Sequence, residues 1–263
     1  MSRDPGASER APLGSLDALA SPPWNPWPMP EVVSTTPSTM VDVERRAREG
    51  APEGTVVVAE EQTDGRGRRG RTWESAARAG LWWSLLLRPR VSADRLGWLP
   101  LVVGLGVARG VDQATGLAVE LKWPNDVVVG GRKLAGILAE RLADGAIVVG
   151  VGINVDHRPD EMPAGGTSMR ILGVEPDRAV LLGHVLAHVA EAYREWIDGV
   201  DPREDYLALS ATIGQDIRAD LGDRSVEGRA VGLGASGELI VSRADGTRLS
   251  VTAADVATVR PTT

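Results

Sequence analysis

The sequence predicts an α+β fold in which strands and helices share one body and a small all-β module follows. Three observations lead there. Apolar or β-branched runs at residues 55–60, 81–87, 119–122, 126–129, 134–138 and 146–151 read as strands. Residues 96–114 and 180–196 read as helices, the second by apolar residues at helical spacing. From about residue 214 the pattern changes to short alternating strands joined by Gly, Asp and Ser turns, with the spacing of a barrel.

Taken in order, residues 1–30 are rich in Pro, Ser, Gly and Ala without periodicity and read as a mostly disordered tail. The Pro-rich stretch 22–28 is expected to pack its two tryptophans on the body. A tail this short leaves no room for a helix-turn-helix domain. Residues 31–34 form a short strand, and Ser38 N-caps a helix through Met40, Val43 and Ala47 that ends near Gly50. The run 81–87 is apolar throughout and therefore central. The helix over 96–114 contains Gly104 and Gly106, which permit close packing. Gly130-Gly131 marks a hairpin. Val180, Leu181, His184, Val185, His188, Val189 and Trp196 define a buried helical face. Strands at 217–219, 226–231, 238–241, 248–251 and 257–260 complete the module. The expected division is a tail (1–30), a catalytic domain (31–212) and a C-terminal domain (213–263).

Composition narrows the function. The chain of 263 residues has net charge -7, so no general nucleic-acid affinity is expected. It has no Cys, which excludes disulfides, thiolate metal sites and thiol nucleophiles. It has three His, too few for a His-rich metal site. His184 and His188 stand four apart on an apolar stripe and read as core or rim residues, and no metal ligand is assigned. The longest apolar run is interrupted by Pro100, Gly104 and Gly106, so no membrane span is expected. The N-terminus has no signal-peptide order, and the expected location is the cytoplasm.

Only two lysines, Lys122 and Lys133, occur among 29 basic residues, and both flank Trp123-Pro-Asn-Asp126. Coding bias explains the arginine excess but not their pairing. A compact ammonium suits a one-point phosphate contact. Gly65-Arg-Gly-Arg-Arg-Gly70 matches a dinucleotide-binding pattern in letters only: no amphipathic helix opens at Gly70 and no acidic residue follows at ribose distance. It reads either as a solvated basic turn or as a flexible loop whose amides and arginines face an anion. Pro124 disfavours helix at Trp123, which sets Asn125 and Asp126 in a turn. That turn is either an Asx-turn or a carboxylate site. Lys133 lies across the hairpin from Asp126. Gly136, Gly150 and Gly152 are bare backbone within strands, a mark of close approach. Asn154 donates to a ligand or caps a turn.

In this order, Ser38-Thr39, Ala59-Glu-Glu-Gln62 before the Gly/Arg loop, Lys122-Trp-Pro-Asn-Asp126, Arg132-Lys-Leu-Ala-Gly-Ile-Leu138 and Gly150-Val-Gly-Ile-Asn154 resemble the biotin protein ligases. The resemblance covers about residues 31–160, and the small β module fits the family's SH3-like domain. It implies a mixed sheet flanked by helices, related to class II aminoacyl-tRNA synthetases. It implies a two-step reaction in which biotin and MgATP give biotinyl-5′-AMP and the acyl group passes to a lysine of a biotin carboxyl carrier domain. Without a DNA-binding domain, the chain resembles the ligases that are not repressors.

By resemblance, Ser38, Thr39 and Gln62 hold the biotin bicycle. Gly65, Arg66, Gly67 and Arg68 form the loop over biotin and the adenylate. Gly136 and Gly150 leave room for biotin. Trp73, Asn125 and Asn154 serve the adenylate or ATP. Lys133, Arg68 and Asp126 are the catalytic candidates: Lys133 contacts the carboxylate and α-phosphate, and Asp126 steers the incoming amine or the Mg2+ that accompanies ATP. The implied partners are biotin, ATP and the carrier domain, without DNA or membrane, on a monomer or weak homodimer. Two residues depart from the pattern: Met40 stands where Asn is common, and Asp64 precedes the arginine loop where a small residue is usual. The alternatives are a lipoate–protein ligase and a non-enzymatic binder of biotinyl-AMP. Related transferases need a Cys nucleophile, and neither lysine lies in a Met-Lys-Met hairpin of the kind that accepts biotin.

Overall fold

The structure, a computed structural model, describes residues 10–14, 16, 27–73, 76–222, 224–252 and 254–258. Most of the expected tail lies outside the described residues. Of its described part, Arg10 is buried and pairs with Asp156 and Glu161. Trp27 packs on the body with its ring 6.2 Å from that of Tyr193.

Seven strands build the main sheet: β1 (Glu31–Val33), β2 (Val56–Ala59), β3 (Gly80–Leu87), β4 (Glu120–Lys122), β5 (Asp126–Val129), β6 (Arg132–Arg141) and β7 (Ile147–Asn154). Their spatial order is β1-β2-β3-β7-β6-β5-β4. The β1–β2 pair is parallel and every other pair antiparallel, so the sheet is mixed. β3 is buried along its whole length, as its unbroken apolar run requires. One face packs on α1 (Thr39–Arg48) through Met40, Val43 and Ala47 against Val57, Leu86 and Val148. The other packs on α2 (Leu99–Thr115) and α3 (Arg178–Ile197).

Helix α2 starts three residues later than the sequence predicts. A 3-10 turn, Ala93–Trp98, precedes it, and Pro100 occupies the first turn, where its missing N–H costs nothing. Gly116, at φ 69°, ends it in the left-handed conformation. Of the two glycines expected to permit close packing, Gly106 does so and Gly104 does not, since a Cβ there would meet only ordinary contacts from 3.5 Å; Gly110 is the second close approach. A Cβ at Gly106 would stand 2.6 Å from the Val189 nitrogen, and one at Gly110 would stand 2.5 Å from the Val185 Cα. The obstacle in both cases is backbone, which cannot rotate away. Gly106→Ala is therefore expected to destabilise the chain by about 1–3 kcal/mol despite alanine's better helix propensity, measured as a lower urea midpoint.

The face of α3 is the expected one at Leu181, Val185, Val189 and Trp196 and differs at Val180. Val180 is 46% exposed, and His184 and His188 sit at the rim. The buried stripe runs through Leu181, Leu182, Val185, Leu186, Val189, Tyr193 and Trp196. Contact with the glycine face of α2 sets this rotation, which periodicity over a mostly apolar helix leaves ambiguous. His188 donates or accepts at Gln113, 2.6 Å away, and stands 3.2 Å from Glu191. A short helix, α4 (Arg203–Ala208), has no counterpart in the sequence reading.

The C-terminal strands are β8 (Asp216–Asp220), β9 (Ser225–Leu233), β10 (Leu239–Ser242), β11 (Arg248–Val251) and β12 (Asp255–Thr258). They form one antiparallel sheet in the order β11-β10-β9-β8-β12. β12 starts two residues before the expected strand. Two tryptophans of the main body dock this module. The Trp98 indole N–H donates to the Ala235 carbonyl (2.8 Å) and that of Trp123 to the Gly237 carbonyl (3.0 Å). Among the described residues no helix is long and apolar enough to cross a membrane.

Candidate functional site

The site follows from register. Directly opposed residues on neighbouring strands share a face. Asp126, Gly136, Gly152 and Trp82 are opposed in one row across β5, β6, β7 and β3. Two residues along, Leu138, Gly150 and Ser84 form a second row. The face thus carries a bare patch of three glycines between a carboxylate and a hydroxyl. Above it lies a cleft of about 780 Å³, open mouth included.

A β-bulge brings Lys133 to this face. Alternation from Gly136 would turn Lys133 toward the helices. Between Val127 and Val128 the pairing shifts, so that Val127 opposes Ala135 but Val128 opposes Lys133. Leu134 is skipped and buried in the core with Ala135. The extra residue re-aims Lys133, the common use of a bulge beside a site. Its Nζ stands 2.7 Å from Asp126 Oδ1. The contact joins the charges without the alignment of a hydrogen bond, which leaves Oδ1 buried with no aligned donor. The Lys133 backbone is fixed on its other edge, its N–H donating to Gly165 O (2.8 Å) and its carbonyl accepting from Thr167 N (2.9 Å).

The inner end of the cleft is polar and buried. Ser38 is the N-cap of α1, yet its side chain makes no capping bond. Thr39 donates from both its N–H (2.9 Å) and its hydroxyl (3.1 Å) to Gln62 Oε1. The same hydroxyl is 2.7 Å from that of Ser84, which is fully buried. Ser38, Thr39, Met40 and Gln62 all line the cleft. Met40 places its sulfur where a Cβ on Gly150 would come within 2.8 Å.

Trp73 lies over the remaining glycines. A Cβ at Gly136 would be 2.8 Å from its ring and one at Gly152 2.6 Å, so the missing side chains accommodate an indole. Lys133 Nζ is 5.1 Å from the same ring centroid, a cation–π contact.

The Gly/Arg loop covers the mouth as a small hairpin, with Gly67 N–H donating to Arg71 O at 2.7 Å and Trp73 N–H to Gly65 O at 2.8 Å. Arg66, Gly67 and Arg68 line the cleft. Arg66 stands 3.6 Å from Glu140. Arg68 donates to Asn125 Oδ1 at 3.0 Å and to the Ala254 carbonyl at 3.3 Å. Burial lowers the Arg68 pKa, an effect that the nearby Asp255 and Asp126 oppose, and the guanidinium stays charged. The amide of Asn125 donates to Ile137 O (2.9 Å), so this residue ties loop to sheet.

Two expected site residues lie elsewhere. Asn154 is 6% exposed and off the cleft wall, and its amide donates to the carbonyls of Thr167 (3.1 Å) and Lys133 (3.4 Å). It braces the strand that carries Lys133. Gly65 sits at the buried base of the loop. Lys122 opposes Asp126 in the β4–β5 register and does not line the cleft. Two residues escaped the sequence reading. Ser84 is the lone polar residue in an apolar central strand, which is itself a signal, because a buried hydroxyl needs a partner. Asp255 of β12 lines the cleft from the C-terminal module, and nothing local in its sequence marks it.

Comparisons with known proteins agree with this geometry. Residues 30–157 match the biotin/lipoate A/B protein ligase family, and residues 212–258 match the biotin protein ligase C-terminal domain. The chain is 40% identical over 245 residues to a biotin--[acetyl-CoA-carboxylase] ligase of Mycobacterium tuberculosis, covering 89% of this chain and 90% of the relative. It is 34% identical over 227 residues to a bifunctional ligase/repressor of Bacillus subtilis, covering 82% and 69%. Its fold is similar to that of the biotin protein ligase of Aquifex aeolicus solved in complex with biotin and ATP, with a TM-score of 0.76, 31% identity, and 88% and 98% of the two chains covered. The chain belongs to the biotin protein ligase family.

Proposed function

We propose that this chain is an ATP-dependent biotin protein ligase, which activates biotin to biotinyl-5′-AMP and passes the biotinyl group to a lysine of a biotin carboxyl carrier domain. One observation carries the reading. Lys133 and Arg68 converge on a cleft whose far end is formed by the buried Ser38 and Thr39 and the half-buried Gln62. Adenylation brings a carboxylate to an α-phosphate. Two cations at the meeting point stabilise charge that grows at phosphorus. The hydroxyl and amide groups suit a small neutral polar head, and the glycine patch suits a flat ring system close to the sheet.

Residues 31–212 carry the chemistry in this reading, and residues 213–263 close the site. The arginine loop shields a mixed anhydride that water would hydrolyse. Asp126, beside Lys133, is the carboxylate available to the incoming amine. Among the described residues no group of three His, Cys, Asp or Glu is placed to hold a metal alone. Mg2+ bound mainly through nucleotide phosphates needs only one or two carboxylates. Asp126, which lines the cleft beside Lys133, is a carboxylate of that kind. When bound there, the ion would supply neutralisation of phosphate charge. The reaction's use of ATP and the Cys-free composition accord with a cytoplasmic setting.

Incubation with labelled biotin, MgATP and an isolated biotin carrier domain tests the proposal. Label is expected on one carrier lysine, and only with ATP. An unlabelled carrier, with lipoate accepted in place of biotin, would overturn it.

A further inference from the structure

Three arginines of the loop meet one carboxylate of the C-terminal module. Asp255 forms a close ion pair with Arg71 and stands 3.5 Å from Arg69 and 3.9 Å from Arg68. Arg69 also donates to the Asp220 carbonyl of β8 at 3.1 Å. The loop backbone does not favour this shape unaided: Arg69 has φ 56°, in the left-handed region that non-glycine residues rarely occupy. Contacts outside the loop therefore help to hold it. The three arginines are not equivalent. The side chain of Arg71 is 65% exposed and that of Arg68 20%. Arg68 and Arg71 both line the cleft, but Arg71 is closely paired with Asp255, whereas the close partners of Arg68 are neutral oxygens, those of Asn125 and Ala254.

We propose that Asp255 is a positioning residue for nucleotide activation: it holds the arginine loop over the cleft through Arg69 and Arg71 and leaves Arg68 under-neutralised to receive phosphate. This rests on the reading as a biotin ligase and deepens it, because it makes the C-terminal module part of the active site. A partly buried guanidinium held by neutral acceptors keeps most of its attraction for an incoming anion, whereas a tight carboxylate pair would have quenched it. Exposed ion pairs are individually weak. Convergence of three arginines on one carboxylate is what makes their joint effect measurable.

The test compares the full chain with Asp255→Ala, Asp255→Glu, Arg71→Ala and the Asp255→Ala/Arg71→Ala double variant. Tryptic cleavage within residues 66–71 of the ligand-free chain is expected to accelerate about tenfold in Asp255→Ala, the summed scale of such pairs. The KM for ATP in biotin-dependent pyrophosphate exchange is expected to rise by about the same factor, with kcat within about twofold. Asp255→Glu should restore both. Arg71→Ala should reproduce the effect, and the double variant should add little to either single one. Wild-type cleavage and KM in Asp255→Ala, or full additivity in the double variant, would overturn the proposal. Should Asp255→Ala fail to fold, Arg71→Ala decides alone, since that side chain is mostly exposed. A wild-type chain that makes no adenylate from biotin and MgATP would sink the functional reading, while the tryptic comparison still reports on the latch.

Discussion

Lys133→Ala is expected to slow formation of the acyl-adenylate by about 10²- to 10³-fold, the scale for one donor lost from a developing anion. The structure gives the reason. Lys133 is aimed by a bulge, fixed by backbone bonds to Gly165 and Thr167, and set 2.7 Å from Asp126 on the cleft face. The other cations of that strand, Arg132 and Arg141, do not line the cleft, and Leu134 and Ala135 are buried on the core side. Lys133→Arg is not a neutral replacement: the fork is longer and planar, and the space beside it is filled by Trp73. Single-turnover pyrophosphate release, with biotin and MgATP saturating, measures the step directly. A wild-type rate in Lys133→Ala would remove this residue from the chemistry.

Stability is expected to fall by about 2 kcal/mol between pH 7 and pH 5 through His157 alone. This histidine is 4% exposed and packs edge-on against Trp82 at 5.6 Å, and its Nδ1 has no partner. Burial lowers its pKa from 6.5 to about 4; Glu161 and Asp156 work against the shift, and Arg10 adds to it. Above pH 6.5 it is neutral whether the chain is folded or not. Below 6.5 the unfolded chain takes up a proton that the folded chain refuses, so stability drains as pH falls and levels off near pH 4. Urea unfolding at the two pH values tests this, with His157→Gln as the comparison. The slope between pH 7 and 5 should flatten in the variant, and an equally steep slope would show that other groups carry it.

The proximity of Asp126 and Lys133 was legible because the two lie close together in the chain. Asp126 and Lys133 flank one Gly-Gly turn, which keeps them near each other, but the register sets Gly136 opposite Asp126 and Val128 opposite Lys133, and the bulge turns Lys133 to the face of Asp126. The arginine loop was legible as an anion cradle or a basic turn, and the structure places it over the cleft. The face of α3 was legible at Leu181, Val185, Val189 and Trp196 but not at Val180, since an Ala/Leu/Val-rich helix offers several nearly equivalent stripes and the fit against Gly106 and Gly110 selects one. Asn154 read as a ligand contact because its letters sit in a motif, whereas burial turned its amide to two carbonyls.

By itself the sequence determined the fold class, the order of the strands along the chain, the glycines that leave the sheet bare and the two lysines beside the Trp-Pro-Asn-Asp turn. Each is a local property of composition, period or turn chemistry. Tertiary structure decided which way those residues point and what reaches them from afar. One skipped residue at the Leu134 bulge turns Lys133 from the core to the cleft, because side chains alternate with period two. Asp255 arrives from more than a hundred residues away, by the docking of Trp98 and Trp123 on the C-terminal module. Neither effect leaves a local mark in the sequence, because both depend on contacts between segments that only the folded chain brings together.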